Sequence, residues 1–321
     1  MAARATRSAG RGSASSSSDD ASRCLLLVLS HDELGVIVDG LADPLQPVVA
    51  VALSSTCLGL WTPLRAALAA LAQLHARARL LCEKLSTRVR MMSYRILRDL
   101  ERLDVSTDRG RTFTNDNMVT LGMLLTNWLP RLRELKISYH YAKGPFLTLC
   151  EGLGRGAAPS LLELSFTGCK LSPAIAEALA FALCTGALPK LETLGLGDNC
   201  FGNRGVTALA LPVRKLPALK SLNLWQCDIG DEGMAALMAD LGKDDFKALE
   251  KLHIQFNDEV TGNGIATLIP ALKAGAMPAL EYVLLPGIRP ADRERQRAIV
   301  KQAIEVRPSL KMNCFSLDDF D

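Results

Sequence analysis

The chain has 321 residues, 49% of them hydrophobic, which is enough apolar material for one large or two smaller packed domains and excludes wholesale disorder. Aromatic residues make up only 5%, so the apolar content is mostly Leu, Ala and Val. That material suits stacked amphipathic elements better than an aromatic-lined catalytic cleft. A net charge of +3 provides no concentrated basic face for tracking phosphates, and no nucleic-acid partner is expected.

In chain order, residues 1–23 read as a disordered tail. Their Ser and Arg content, with no acid before Asp19, also suits an organelle transit peptide. Residues 24–95 are non-repetitive and helical in pattern. Leu29-Ser-His-Asp-Glu-Leu34 continues through Ile37 to Leu41 with helical apolar spacing; Ser30 can cap it and Glu33 can complete a capping box. Asp43-Pro44 breaks this helix, and a second apolar stretch ends Leu53-Ser-Ser-Thr-Cys57-Leu-Gly-Leu60-Trp61. Leu64 to Leu85 then reads as one long Ala/Leu/Arg helix. No apolar run reaches the roughly 18 residues of a membrane span, because Arg65, His75, Arg77 and Arg79 interrupt the longest candidate. From Arg65 to Arg102 there are nine Lys/Arg against three Asp/Glu, which fits a solvated helix face or a patch for nucleic acid or acidic lipid.

The succession of helix, Asp-Pro, helix and Leu-Ser-x-x-Cys-x-x-Leu resembles an F-box. Ser30 stands where that family has Pro, and Leu58 where it usually has Lys. The resemblance implies docking of residues 25–62 to a cullin-ligase adaptor, with the chain as a substrate receptor. The other reading is a helical cap that seals the first repeat of the array behind it.

That array spans residues 96–290. Four segments share one pattern over their first nine positions: those starting at Leu161, Leu191, Leu219 and Leu249. The first three read Leu161-x-x-Leu164-x-Phe166-x-x-Cys169, Leu191-x-x-Leu194-x-Leu196-x-x-Asn199 and Leu219-x-x-Leu222-x-Leu224-x-x-Cys227. The fourth is Leu249-x-x-Leu252-x-Ile254-x-x-Asn257. Weaker copies begin at Leu100, Leu132 and Leu280, so that about seven starts are spaced 28 to 32 residues apart. Alternating apolar positions argue a short strand with one buried side. At the ninth position, where the chain leaves the strand, a buried Asn or Cys can satisfy loop backbone groups that have no ladder partner. Parallel strands need a crossover, and the second half of each repeat supplies a helix. Gly202-Asn-Arg-Gly205-Val-Thr-Ala-Leu209 recurs as Gly230-Asp-Glu-Gly233-Met-Ala-Ala-Leu237, with Asn203 and Asp231 as suitable N-caps. Pro189, Pro217 and Pro278 each stand two residues before a repeat's first Leu, where helices should have ended.

This pattern resembles the leucine-rich-repeat family. The 28–30-residue length and the alternating Cys and Asn at the ninth position resemble its ribonuclease-inhibitor-like subfamily. Asp108, His140 and Ile288 depart from the pattern in the outer repeats, as capping repeats do. The fold implied is an α/β leucine-rich-repeat solenoid, a curved parallel sheet lined by outer helices, behind an α-helical N-terminal cap. Residues 291–321 read as a C-terminal capping helix followed by an acidic tail.

The sequence offers no chemistry. It has no phosphate loop, and its only Gly-rich run, Gly152-Leu-Gly154-Arg-Gly156, reads as a helix stop. The nine cysteines include no Cys-x-x-Cys, so neither a disulfide framework nor a zinc site is expected; the repeat cysteines read as core in a reducing compartment. No catalytic residue, cofactor or metal is expected, and the localisation expected is cytoplasmic, with nuclear or organellar alternatives. The function expected is protein binding through the outward positions of a concave sheet, with a small-GTPase regulator as a further alternative. Trp225 stands out there, because an outward Trp has no core role and Trp is enriched in binding hot spots. With Asn223, Lys251, His253 and Gln255 it forms a candidate partner-binding patch, and Lys136 and Glu163 extend it along the sheet.

Overall fold

The computed structural model describes residues 47, 51–52, 58–86, 94–106, 114–125, 129–141, 143–155, 158–287 and 293–314. The chain divides into two compact units, residues 1–75 and 76–321. In the first unit the description amounts to residues 47 and 51–52 and the beginning of helix α1 (Leu58–Ser86). The F-box-like pattern and the tail at 1–23 therefore lie almost wholly outside the described residues.

In the second unit the remainder of α1 buries Ala78, Leu81, Cys82 and Leu85. The spacing i, i+3, i+4, i+7 makes these one face of the helix. A short helix α2 (Tyr94–Arg98) follows. Strands and helices then alternate: β1 (Arg102–Ser106), α3 (Asn115–Leu124), β2 (Glu134–Ser138), α4 (Lys143–Gly154), β3 (Glu163–Thr167) and α5 (Pro173–Cys184). Next come β4 (Thr193–Gly195), α6 (Gly202–Arg214), β5 (Ser221–Asn223), α7 (Asp231–Met238) and β6 (Lys251–His253). The end of the array holds α8 (Gly262–Ala266), α9 (Leu268–Lys273), β7 (Tyr282–Leu285), α10 (Arg293–Val306) and β8 (Lys311–Cys314).

The strands form one eight-stranded sheet in sequence order, every pair parallel. This is the strand–helix solenoid that the repeats imply. The first seven strands each begin two residues after a repeat's first Leu. Their second conserved positions lie in register as one column, Leu103, Leu135, Leu164, Leu194, Leu222, Leu252 and Val283, continued by Met312. From Leu103 to Val283 that column is at most 4% exposed. At about 1.5–3 kcal/mol for each fully buried large side chain, it is the main cohesion between repeats.

The eighth strand lies beyond the seven recognisable starts. Its Leu310 is buried, but the spacing is Leu310-x-Met312-x-Cys314, one residue shorter than in the other repeats. In the Gly-rich run, Gly152 and Gly154 form the last turn of α4, which ends at Gly154. A Cβ on Gly152 would lie 2.1 Å from the Gly122 carbonyl oxygen, so these glycines let α3 and α4 approach backbone to backbone. No helix among the described residues is long and apolar enough to cross a membrane.

Candidate functional site

The ninth position of each central repeat fixes the loop that leaves the strand. Asn199 Nδ2 donates to the carbonyls of Phe166 and Leu196, both at 2.7 Å, and its Oδ1 accepts from Leu171 N at 2.9 Å. Asn257 repeats this with Leu224 and Ile254 carbonyls at 2.9 Å, and accepts from Cys227 N and Ile229 N at 2.8 and 3.1 Å. Cys169 and Cys227 are weaker versions, their thiols donating to Ile137 O at 3.4 Å and Leu196 O at 3.2 Å. All four side chains thus reach the same carbonyl, that of the sixth position one repeat back. In the second repeat His140 occupies the ninth position, buried, with its ring 6.1 Å from that of Phe146.

The residue just before the ninth turns the chain. Tyr139, Gly168, Asp198, Gln226 and Phe256 all occupy the left-handed region, with φ between 49° and 67°. Four of them carry side chains, for which this conformation costs about 1–2 kcal/mol. Hydrogen bonds from one loop to the next hold it: Asp198 N to Trp225 O at 2.8 Å and Gln226 N to Gln255 O at 2.9 Å. A rim of loops at the strand exits is thereby made rigid.

A second set of side chains joins the helix starts. Asn203 and Asp231 fit the sequence pattern of caps for their own helices, but each caps the helix of the following repeat. Asn203 Oδ1 accepts from Gly230 N at 2.7 Å and Gly233 N at 3.1 Å. Asp231 Oδ1 accepts from Thr261 N at 2.7 Å and Gly264 N at 2.9 Å, and its other oxygen accepts from the Thr261 hydroxyl at 2.6 Å. Burial pushes the Asp231 carboxyl up, but these bonds outweigh it and hold its pKa below the usual carboxylate range.

On the outward face of the sheet the first three strands carry a charge ladder. Arg102 pairs with Glu134 at 2.9 Å, and Lys136 pairs with Glu163 at 2.9 Å and Glu134 at 4.0 Å. The Glu163 hydrogen bond raises the Lys136 pKa. These side chains neutralise one another across adjacent strands, and Lys136 on β2 and Glu163 on β3 are three and two strands from β5.

The other half of the face is different. Trp225 is half-buried, and its indole leans across Gly197, which holds the same position one repeat earlier. A Cβ there would come within 2.0 Å of the indole Nε1. Phe256 packs on the other side, edge to face, with ring centroids 6.1 Å apart. Asn223 is half-buried, and its Oδ1 accepts from Trp225 N at 3.1 Å. Lys251 is exposed and His253 is half-buried, 6.4 Å from the Tyr282 ring. Burial, and then Lys251, lowers the His253 pKa, so the ring is neutral near pH 7. Gln255, two residues beyond β6, is only 8% exposed, with no hydrogen-bond partner for its buried Oε1. Asn223 and His253 end β5 and β6, Trp225 and Gln255 follow two residues beyond those strands, and Lys251 stands at the start of β6.

Sequence reasoning missed the rim. Tyr139 and Tyr141 are 44% and 53% exposed, and Lys170 Nζ lies 5.2 Å above the Tyr141 ring. Asp198, Asp228, Asp258 and Glu259 line the exits of β4, β5 and β6. All of them fall at positions 8 to 11 of their repeats, where the chain leaves the strand.

The four buried cysteines among the described residues are poor nucleophiles. Burial is the first cause that pushes Cys82 to about 11 and Cys150, Cys169 and Cys227 to about 12. Among the described residues, no group of three or more His, Cys, Asp or Glu is placed to hold a metal ion.

A family model described as a leucine-rich repeat matches residues 157–180, 187–210 and 215–238. These segments run from the approach to β3 through α7. No curated protein matches the chain. Among solved structures, Leiomodin-1 Actin-Binding Site 2 (ABS2) aligns at 15% identity with a TM-score of 0.38, covering 50% of this chain and 89% of that one.

Proposed function

We propose that this chain, which carries leucine-rich repeats, is a non-enzymatic scaffold that binds a partner protein through the outward face of its parallel sheet. The observation that carries this reading is Trp225. Inward positions on the first seven strands are packed, whereas Trp225 is part-exposed and braced by Gly197 and Phe256. A braced aromatic loses little side-chain entropy on binding and contributes a large contact area. The raised thiol pKa values further favour binding over nucleophilic chemistry. The repeat length, and the shared carbonyl reached by both Cys and Asn at the ninth position, support the ribonuclease-inhibitor-like reading of the repeats.

The test is site-specific photo-crosslinking in the full chain. A crosslinker in place of the outward Ser221 is expected to capture the partner, and one in place of the helix-side Phe181 is not. Capture from position 181 alone would contradict the proposal.

A further inference from the structure

Independently of the outward-face reading, we infer that the chain's own residues 315–321 fold back onto the open face of α10 and close the last repeat of the solenoid. From α3 to α9, each helix packs on a helix of the following repeat, and no described helix follows α10. Helix α10 buries Gln296, Ile299 and Ala303. A second face carries Arg297, Val300, Lys301, Ile304, Glu305 and, just past the helix, Pro308, at i, i+3, i+4, i+7, i+8 and i+11. These six line a groove of about 560 Å³. Val300 is half-buried, and Ile304 is 39% exposed. The end of a repeat array needs a polar outer face, so an apolar groove there calls for a cover.

The cover is argued from charge, composition and reach. Arg297 and Lys301 pair with no described carboxylate, and Glu305 is the one acid among the six groove residues. Residues 315–321, which lie outside the described residues, read Phe-Ser-Leu-Asp-Asp-Phe-Asp. They combine three large apolar side chains with three carboxylates and no base, which matches Val300, Ile304 and Pro308 flanked by two cations. They follow directly on Cys314, the last residue of β8. Seven residues, 224–230, also carry the chain from the end of β5 at Asn223 to the start of α7 at Asp231, in the helix layer. Fully extended, seven residues span about 23–25 Å. The groove from Arg297 to Pro308 is roughly 16 Å long at the helical rise, so the segment reaches it with length to spare.

The test sets the segment in place against the same segment added free. The probe is a fluorescein-labelled peptide, Phe-Ser-Leu-Asp-Asp-Phe-Asp, titrated by fluorescence anisotropy against the full chain and against the full-length triple variant Phe315→Ser, Leu317→Ser, Phe320→Ser. A short tether gives an effective concentration of about 1 mM, so a segment with a Kd of about 0.1 mM fills its own groove and weakens a free competitor about tenfold. The peptide is therefore expected to bind the triple variant saturably and the parent chain about tenfold more weakly. Adding Arg297→Glu and Lys301→Glu, both exposed positions, to the triple variant should cut that binding about fivefold or more, with circular dichroism as the folding control. As a second measurement, a photo-crosslinker in place of Ile304 in the parent chain should join residues 315–321 within one molecule at every protein concentration. Failure of the triple variant to bind the peptide would overturn the inference, as would equal affinity of parent and triple variant. A crosslink from position 304 to a second copy, growing with concentration, would also overturn it and make the face a contact between copies.

Discussion

Asn257→Ala should be among the most destabilising single changes in the array. Asn257 is 1% exposed and bonds five main-chain groups from two repeats: Leu224 O, Ile254 O, Gln255 O, Cys227 N and Ile229 N. Truncation leaves all five without that partner in a place water does not reach. A buried polar group left unsatisfied costs about 1–3 kcal/mol, and local relaxation recovers part of the total, so a loss of about 3–5 kcal/mol follows. The matched control is Cys227→Ala. Its thiol makes only long contacts, 3.2 Å to Leu196 O and 3.4 Å to Trp225 O, and about 1–2 kcal/mol is expected. Urea denaturation followed by circular dichroism measures both, with an unchanged m-value as the sign that the two unfold alike. An Asn257→Ala cost below about 1 kcal/mol, or a larger cost for Cys227→Ala, would refute the argument that these side chains hold the loops.

Four further outcomes follow from the same geometry. Leu222→Ala removes a side chain 1% exposed in the central column and should cost about 2–5 kcal/mol, whereas outward Ser221→Ala should stay within about 0.5 kcal/mol; equal shifts in urea midpoint would mean the strand phase is inverted. Asp231→Ala should cost about 1–2 kcal/mol through the helix of the following repeat, read as faster hydrogen exchange at Gly264 than at Met234. The folded-state pKa values of Asp231 and Asp245 are both held down, for Asp245 by Lys215 and Gly242 against the upward push of burial. Their contribution is therefore present above the unfolded value of about 3.9 and lost as pH falls through the lower folded values, so Asp231→Asn should flatten the stability profile below about pH 4. Gly197→Ala must push the indole off its seat, and should red-shift tryptophan emission without unfolding the chain; an unchanged spectrum would place Trp225 elsewhere.

The strands were legible because one inward column repeats at nearly fixed spacing, and each of the first seven begins where its first Leu places it. The eighth was not, because Leu310-x-Met312 is one residue shorter than the Leu-x-x-Leu of the other repeats. Asn203 and Asp231 show a different limit. Local capping rules look two or three residues ahead, while these side chains act on amides 27 to 33 residues away. Period-two alternation gives direction and not depth, so the burial of Gln255 was invisible in the sequence. The seat of Trp225 could have been read by aligning Gly197 with it, since a missing side chain one repeat back is what makes room for the ring.

The most direct test of the account is the affinity of the partner for Trp225→Ala, measured by calorimetry on the full chain with Phe181→Ser as the helix-side control. Phe181 is 74% exposed on α5, the most exposed large apolar side chain among the described residues, so it is the strongest rival anchor. The account predicts that Trp225→Ala loses about 2 kcal/mol or more of binding free energy with its fold intact, and that Phe181→Ser binds like the parent chain. Binding that survives Trp225→Ala and fails with Phe181→Ser would put the partner on the helices and contradict it.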